Sequence, residues 1–358
     1  MGQSLTRRSL LRSSAALGGL VVISSCAPAA APSPSASAAA TAAAPSPSAS
    51  AAAKALKASG AWVALTANQM IWPVAVDAGY FEKYGLTFDL EYIAKSTAGM
   101  AAMVSGHIDA TSVAGSAVVG AQAGGEDVVM IMGWVNKTIF RIMSMPGITS
   151  LDQLKNKRVG VTGVGTADYF AWETIASKIG TTMSGFDFIS AENPTGQVSF
   201  LAQRKVDAIA VSPPNDVLAL NIGAHQVFDM ASLNIPEQQV GIAVTKKWLT
   251  SDRDAATALV KGSIEAIHRW KTDAAFAKGV IAKYLKSKDQ KFIDTGYSAY
   301  VDVFPQIPYP SQEGMQRVID EVASKNAKAK KLKVADLVDM SIVKELDTSG
   351  FIKKVYGQ

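Results

Sequence analysis

One short pattern is written twice in this chain. Ile108, Asp109 and Ala110 followed by Val113, inside SGHIDATSVAGS, return ninety-eight residues later as Val206, Asp207 and Ala208 followed by Val211, inside QRKVDAIAVSPP. Each copy follows a helical stretch and ends in small or turn-forming residues. A helix that feeds a short apolar strand is the unit of a parallel sheet, because parallel neighbours must be joined by a crossover. The surrounding sequence keeps that rhythm. AWVALTA, LTFDLEYI, IDATSVA and DVVMIMGW read as strands separated by the helical AGMAAMVSG and SAVVGAQAGG. After TIFRIMSMP the cycle restarts with strands RVGVTG, FDFISA, VDAIAVSPP and HQVFDM between helices ADYFAWETIASKIG, GQVSFLAQRK and NDVLALNIG. VGIAVTKKWL reads as one more strand, and from Asp252 onward the periodicity is mostly helical. The fold class is therefore α/β, with two successive strand-helix series and a helical tail that returns to complete the first.

The N-terminus reads as an address. Thr6, Arg7, Arg8, Ser9, Leu10, Leu11 and Arg12 resemble a twin-arginine export motif, and the apolar run from Ala15 to Ile23 is too short to cross a bilayer stably. Ile23, Ser24, Ser25 and Cys26 resemble a lipobox, so residues 1–26 are expected to be an export signal with Cys26 as the lipidated residue. The alternative is a general secretory signal with an incidental cysteine. Cys26 is the single cysteine of the chain, which excludes a disulfide framework. Residues 27–60 collapse to Ala, Pro and Ser, with APSPSASAAA occurring twice, and are expected to form a disordered tether. The net charge of +5 is carried by Arg7, Arg8, Arg12, Lys54 and Lys57, with no acidic residue among the first sixty. The remainder is neutral, so nothing in it points to nucleic acid.

AVDAGYFEKYGLTFDLEYI, AAMVSGHIDATSV, ITSLDQLKNKRVGVTGVGTADYFAWETIASKIG and FLAQRKVDAIAVSPP, with the closing VADLVDMSIVKELDTSGFI, resemble the solute-binding proteins of ABC importers. The similar group includes binders of aliphatic sulfonates, taurine, nitrate and thiamine-precursor pyrimidines. That resemblance implies a type II periplasmic-binding-protein fold, two lobes joined by two hinge crossings. By analogy the crossings fall near Arg141 to Met145 and Gly241 to Thr245, with lobe one as residues 61–142 plus 243–358 and lobe two as 143–242. It also implies an ABC permease with its ATPase as partner and a small-molecule ligand; the chain is expected to be a monomer, held on the outer face of the cytoplasmic membrane through lipidated Cys26.

Where such a site should lie follows from the sheet. Ligands bind beyond the carboxyl ends of parallel strands, where loops lead into helix N-termini with unpaired N–H groups. The loops that qualify carry Thr66, Asn68 and then Trp72; Lys95, Ser96 and Thr97; Gly115 and Ser116; Gly165, Thr166 and Tyr169; and Ser212 with Pro213. Trp134, at the end of DVVMIMGW, and Tyr169 are the candidates for stacking on a planar ring, whereas Trp172 shares a helical face with Ile175 and Ile179 and belongs to the core. GVGTAD only imitates the dinucleotide fingerprint, because Asp168 stands where the third glycine belongs and would repel a pyrophosphate. No cofactor is expected.

The ligand reading is accordingly a planar heterocycle, pyrimidine- or flavin-like, or an aromatic acid. A small sulfonate, taurine or nitrate is the alternative. His107, His225 and His268 are not spaced as a metal site, and neither H-E-x-x-H nor G-x-S-x-G occurs. A binder is therefore expected rather than an enzyme. A pyrimidine-synthesis enzyme on the same fold, or a receptor that senses a ligand, are the other classes open to the sequence.

Overall fold

The computed structural model describes residues 55–358; the expected signal, Cys26 and most of the expected tether lie outside them. The described residues build two five-stranded sheets. The first contains β1 (Leu56–Trp62), β2 (Leu86–Tyr92), β3 (Ala110–Val113), β4 (Val128–Lys137) and β10 (Pro236–Thr245), in the order β2-β1-β3-β10-β4. The second contains β5 (Arg141–Ser144), β6 (Lys157–Val161), β7 (Phe186–Ser190), β8 (Ala208–Val211) and β9 (His225–Asp229), in the order β7-β6-β8-β5-β9. The two series read from the sequence are these two sheets.

Each sheet has one antiparallel member, β10 in the first and β5 in the second. Both are the strands entered directly from the other lobe. The remaining strands all run toward the space between the lobes, so a chain arriving from that space must run the opposite way. The crossings themselves are short, residues 138–140 between β4 and β5 and residues 234–235 before β10. Thr138 N donates to Ile235 O at 3.0 Å, which holds them side by side.

The segments expected to cross are themselves strands of the two sheets. Arg141 to Ser144 already belong to the second sheet, and Gly241 to Thr245 lie inside the first. Glu237, Gln238 and Gln239 look like loop residues but are buried in β10. Gln238 explains how that is tolerated, since its Oε1 accepts from Ser311 N at 2.7 Å and its Nε2 donates to Val240 O at 3.2 Å. The folded part also begins earlier than the composition suggested. Leu56 to Trp62 is a central strand, registered Leu56 to Leu86 against β2, although its Ala, Ser and Gly resemble the tether. Small residues are required there: a Cβ on Gly60 would come within 2.5 Å of Phe88 Cζ.

The repeated Asp-Ala has a structural meaning. Asp109 Oδ2 accepts from Ser59 N at 2.8 Å and Ser59 Oγ at 3.0 Å, tying the approach to β3 to β1. Asp207 Oδ2 accepts from Arg158 N at 2.9 Å, tying the approach to β8 to β6, and its Oδ1 accepts from Arg158 Nη2 at 2.7 Å. Those bonds from Arg158 hold the Asp207 carboxyl below the usual carboxylate range.

The helical tail closes lobe one. Arg253–Thr272 is amphipathic, with Leu259, Gly262, Ser263, Ile267 and Trp270 buried along the face that covers the sheet. Gln312–Ala323 crosses β10, where Gly314 meets the backbone at 2.7 Å from Gln238 N for a Cβ placed on it. Gly314→Ala is expected to lower stability by about 1–3 kcal/mol, because the strand backbone cannot yield as a side chain would. Urea unfolding of the pair of proteins checks it.

Candidate functional site

The loops at the carboxyl ends of β1, β2, β3, β6, β7 and β8 meet between the lobes and enclose a cavity of about 70 Å³. At the size of a water molecule this is room for on the order of five waters. Thr66, Asn68, Gln69, Lys95 and Ser96 line it from lobe one, together with Gln239 at the start of β10. Thr162, Thr166, Asp168, Glu192, Asn193, Gln197 and Ser212 line it from lobe two, and Phe140 contributes from the first crossing.

Direct bonds hold the lobes together around this space. Thr66 Oγ1 donates to Pro213 O at 2.8 Å and lies 3.1 Å from Ser212 Oγ. Tyr300, on the helix Gln290–Val301, donates to the same Pro213 carbonyl at 3.1 Å. Asn215 Nδ2 donates to Leu65 O at 3.0 Å. Thr66→Val removes the hydroxyl while keeping the shape, so the closed arrangement should lose about 1 kcal/mol. An increased radius of gyration in scattering from the ligand-free variant is the expected sign.

Asp168 organises the lobe-two wall. Its carboxylate accepts from Thr162 N at 2.6 Å, Thr162 Oγ1 at 2.6 Å and Gln197 Nε2 at 2.9 Å, with Thr166 Oγ1 2.5 Å away. Burial pushes this carboxyl up, while the bonds from Thr162 and Thr166 pull it back. The carboxylate sits in the first turn of the helix Ala167–Lys178, where the positive end of the peptide dipoles favours it. On the next helix, Pro194–Ala202, Asn193 Oδ1 accepts from Gly196 N at 2.8 Å. On this side Thr162 N and, at the start of the helix Pro194–Ala202, Gly196 N are thus taken by the protein's own oxygens.

Six residues named from sequence line the cavity: Thr66, Asn68, Lys95, Ser96, Thr166 and Ser212. Pro213 acts through its carbonyl as a lobe-to-lobe acceptor. Thr97, Ser116 and Gly165 instead line a neighbouring apolar groove with Met100, Val104 and Phe170. Gly115 packs against Gln238, whose carbonyl would be 3.0 Å from a Cβ placed on it.

The aromatic candidates are placed elsewhere. Trp72 is fully buried and donates to Ser263 Oγ at 3.2 Å, behind the first sheet. Trp134 is fully buried too, and donates to Asn68 O at 2.8 Å. Tyr169 packs on Phe170 and Phe188, with ring centroids 5.3 and 4.8 Å apart. None of the three lines the cavity, so the pair of rings read as a planar sandwich is not assembled there. Sequence reasoning missed Phe140, Thr162, Glu192, Asn193, Gln197 and Gln239. Asn193 had a legible signal, an Asn-Pro at a strand end before a helix, whereas Gln197 and Gln239 reach the cavity from inside regular elements.

Two sheets, two crossings and a cavity at the carboxyl ends of both define the fold of the periplasmic binding proteins. The chain belongs to the NMT1/THI5-like family, whose model matches residues 67–272. Its structure is similar to that of the alkanesulfonate-binding protein SsuA from Xanthomonas axonopodis pv. citri bound to MOPS, at 17% identity and TM-score 0.69, covering 81% of this chain and 100% of that one. It is similar to the periplasmic nitrate-binding protein NrtA from Synechocystis PCC 6803, at 14% identity and TM-score 0.67, over 83% and 89% of the two chains. A zinc-bound ligand-binding component of an ABC-type import system from Staphylococcus aureus matches at 14% identity and TM-score 0.68, over 81% and 98%. No curated protein sequence matches the chain.

Proposed function

We propose that this chain is a solute-binding protein that captures one small organic molecule between its lobes and delivers it to an ABC permease with its ATPase. The observation that carries the reading is the cavity lined by both lobes, because a ligand there touches two bodies joined only by short crossings and favours the state in which they meet. The similarity to the sulfonate- and nitrate-binding proteins supports it, as does family membership. Export and anchoring through a lipidated Cys26 complete the proposal, supported by the arginine pair, the apolar run and the Ser24, Ser25, Cys26 sequence. Among the described residues no helix is long and apolar enough to cross a membrane. A binder rather than an enzyme is favoured by a cavity lining rich in carboxamides and hydroxyls, and by the four hydrogen bonds from Thr162, Thr166 and Gln197 that hold its buried carboxylate.

The test is the melting temperature of the full chain against a mixed panel of sulfonates, nitrate, amino acids, amides, pyrimidines, flavins and aromatic acids. One chemical class should raise it saturably, as ligand binding to the folded state alone requires, and should be recovered unchanged after incubation. Chemical conversion of the stabilising compound would overturn the binder reading.

A further inference from the structure

A second contact between the lobes lies away from the cavity. The helix Gln312–Ala323 of lobe one faces the helix Ala167–Lys178 of lobe two across a cleft of about 840 Å³, which Ile235 of the second crossing also lines. Arg317 spans it: its Nη2 donates to Thr174 Oγ1 at 2.7 Å, while its Nε lies 3.0 Å from Glu321 Oε1 on its own helix. A guanidinium keeps its charge, so what can change around it is the carboxyl groups. Glu321 and Glu237 of β10 are both buried. Burial, and then the charge of Glu237, push Glu321 up against Arg317, and Glu173 of the facing helix and Asp320 add to the push. Burial pushes Glu237 up as well. Glu313 lines the cleft from lobe one, and Lys178 is the cation on the lobe-two side, its Nζ held 5.4 Å from the Phe228 ring centroid on its own lobe. Of the other segments packed on Gln312–Ala323, Gly115–Gly124 carries no charge and Ala327–Lys331 brings Lys330 to a recess beside Asp320. Asp336 of Val334–Leu337 accepts from Lys333 N at 3.1 Å.

We propose that this cluster is a proton-controlled catch on lobe closure: with Glu237 and Glu321 neutral, Arg317 bridges the lobes to Thr174, and with both ionised the boundary opens. An ionised carboxylate needs water or hydrogen-bond donors. The closed boundary brings the two carboxylates one guanidinium, which Thr174 also uses. Opening admits water and carries Glu173 away from Glu321. The closed form therefore holds protons that the open form releases, so closure is favoured at low pH and is lost as pH rises through about 7 and then about 9. Linkage is reciprocal: a solute that closes the lobes takes up protons, and its affinity falls over the same range. The proposal rests on the reading of the chain as two lobes that close on a solute.

X-ray scattering from the solute-free full chain is the test, with urea unfolding on the same samples. The radius of gyration is expected to rise between about pH 6 and about pH 9. Glu321→Gln stays neutral across that range and should remove most of the rise. Glu173→Gln takes away the like charge on lobe two, outside the cavity, and should shrink the rise about twofold. Thr174→Val keeps the shape and removes the acceptor of the bridge, so its radius at the acid end should move toward that of the unaltered chain at the alkaline end. A radius that stays flat while the urea midpoint falls would show the carboxyls titrating inside lobe one without moving the boundary, and would overturn the catch. A full rise retained in both Glu321→Gln and Glu173→Gln, or an unchanged radius in Thr174→Val, would overturn it as well. The binding-protein reading fails on a separate result, an unchanged melting temperature across the whole solute panel.

Discussion

Trp134→Ala should cost about 3–5 kcal/mol of folding stability, the range for removing a large side chain from a core that cannot collapse around the space. Trp134 is fully buried in lobe one and tilts against Trp72 with ring centroids 6.2 Å apart. It sits on β4, next to β10, so rigid backbone limits relaxation on that side. Trp134→Phe separates two roles of the residue. It keeps most of the ring volume and loses the bond from the indole to Asn68 O, for about 1 kcal/mol. Since Asn68 lines the cavity, ligand affinity should also fall a few-fold in the phenylalanine variant. Urea unfolding and titration on the same preparations check both. A collapse of affinity with unchanged stability would mean that Trp134 stacks on the ligand, against its placement in the structure.

That residue illustrates how far the sequence could be read. The order of strands and helices was legible because period-two and helical patterns alternate over most of the chain, and the repeated Asp-Ala marks the same strand start in each lobe. The loops at the carboxyl ends of the strands were legible for the same reason, which is how Thr66, Asn68, Lys95, Ser96, Thr166 and Ser212 came to line one cavity. What a side chain faces was less legible. Trp72 and Trp134 lie close to those loops in sequence, yet each points its ring into the core and uses its indole N–H inside the protein. Gln197 and Gln239 reach the cavity from a helix and a strand, where a glutamine more often faces water. Asp168 was noticed for what it excludes, a nucleotide, and the same charge turns out to shape the wall that a solute would meet. Glu237, Gln238 and Gln239 are polar residues inside a strand, and for Gln238 the partner Ser311 on the helical tail, distant in sequence, accounts for its burial.

Glu237 is also part of the second large expected effect, a loss of stability as pH rises. Its carboxyl is buried in β10, close to Arg317 and Glu321 of the helix Gln312–Ala323, and across the lobe boundary the charge of Glu173 acts on Glu321 while Thr174 bonds Arg317. Arg317 is the cation among these groups; its Nε lies 3.0 Å from Glu321 Oε1 and its Nη2 donates to Thr174 Oγ1 at 2.7 Å. One guanidinium among three glutamates, with Asp320 adding further negative charge, leaves the cluster short of positive charge. Burial pushes Glu237 up from 4.5 to about 7, with Arg317 opposing. Burial, with the charge of Glu237 next, pushes Glu321 up from 4.5 to about 9, and Arg317 again opposes. Both folded values exceed the unfolded one, so the folded chain holds protons that the unfolded chain has released. The stabilisation is complete below about 4.5 and drains away as pH rises, through about 7 for Glu237 and about 9 for Glu321. The urea midpoint should therefore fall between pH 5 and pH 9 without a change in slope. Glu321→Gln removes the group with the higher value and should flatten the upper part of that curve, with a gain on the order of 2 kcal/mol at pH 8. Arg317→Leu should act in the opposite direction and deepen the fall above neutral pH, where Glu237 and then Glu321 would ionise without their cation. A flat midpoint across this range, with Arg317→Leu neutral, would mean that water reaches Glu237 and Glu321 freely and that the cluster does not constrain the lobe boundary.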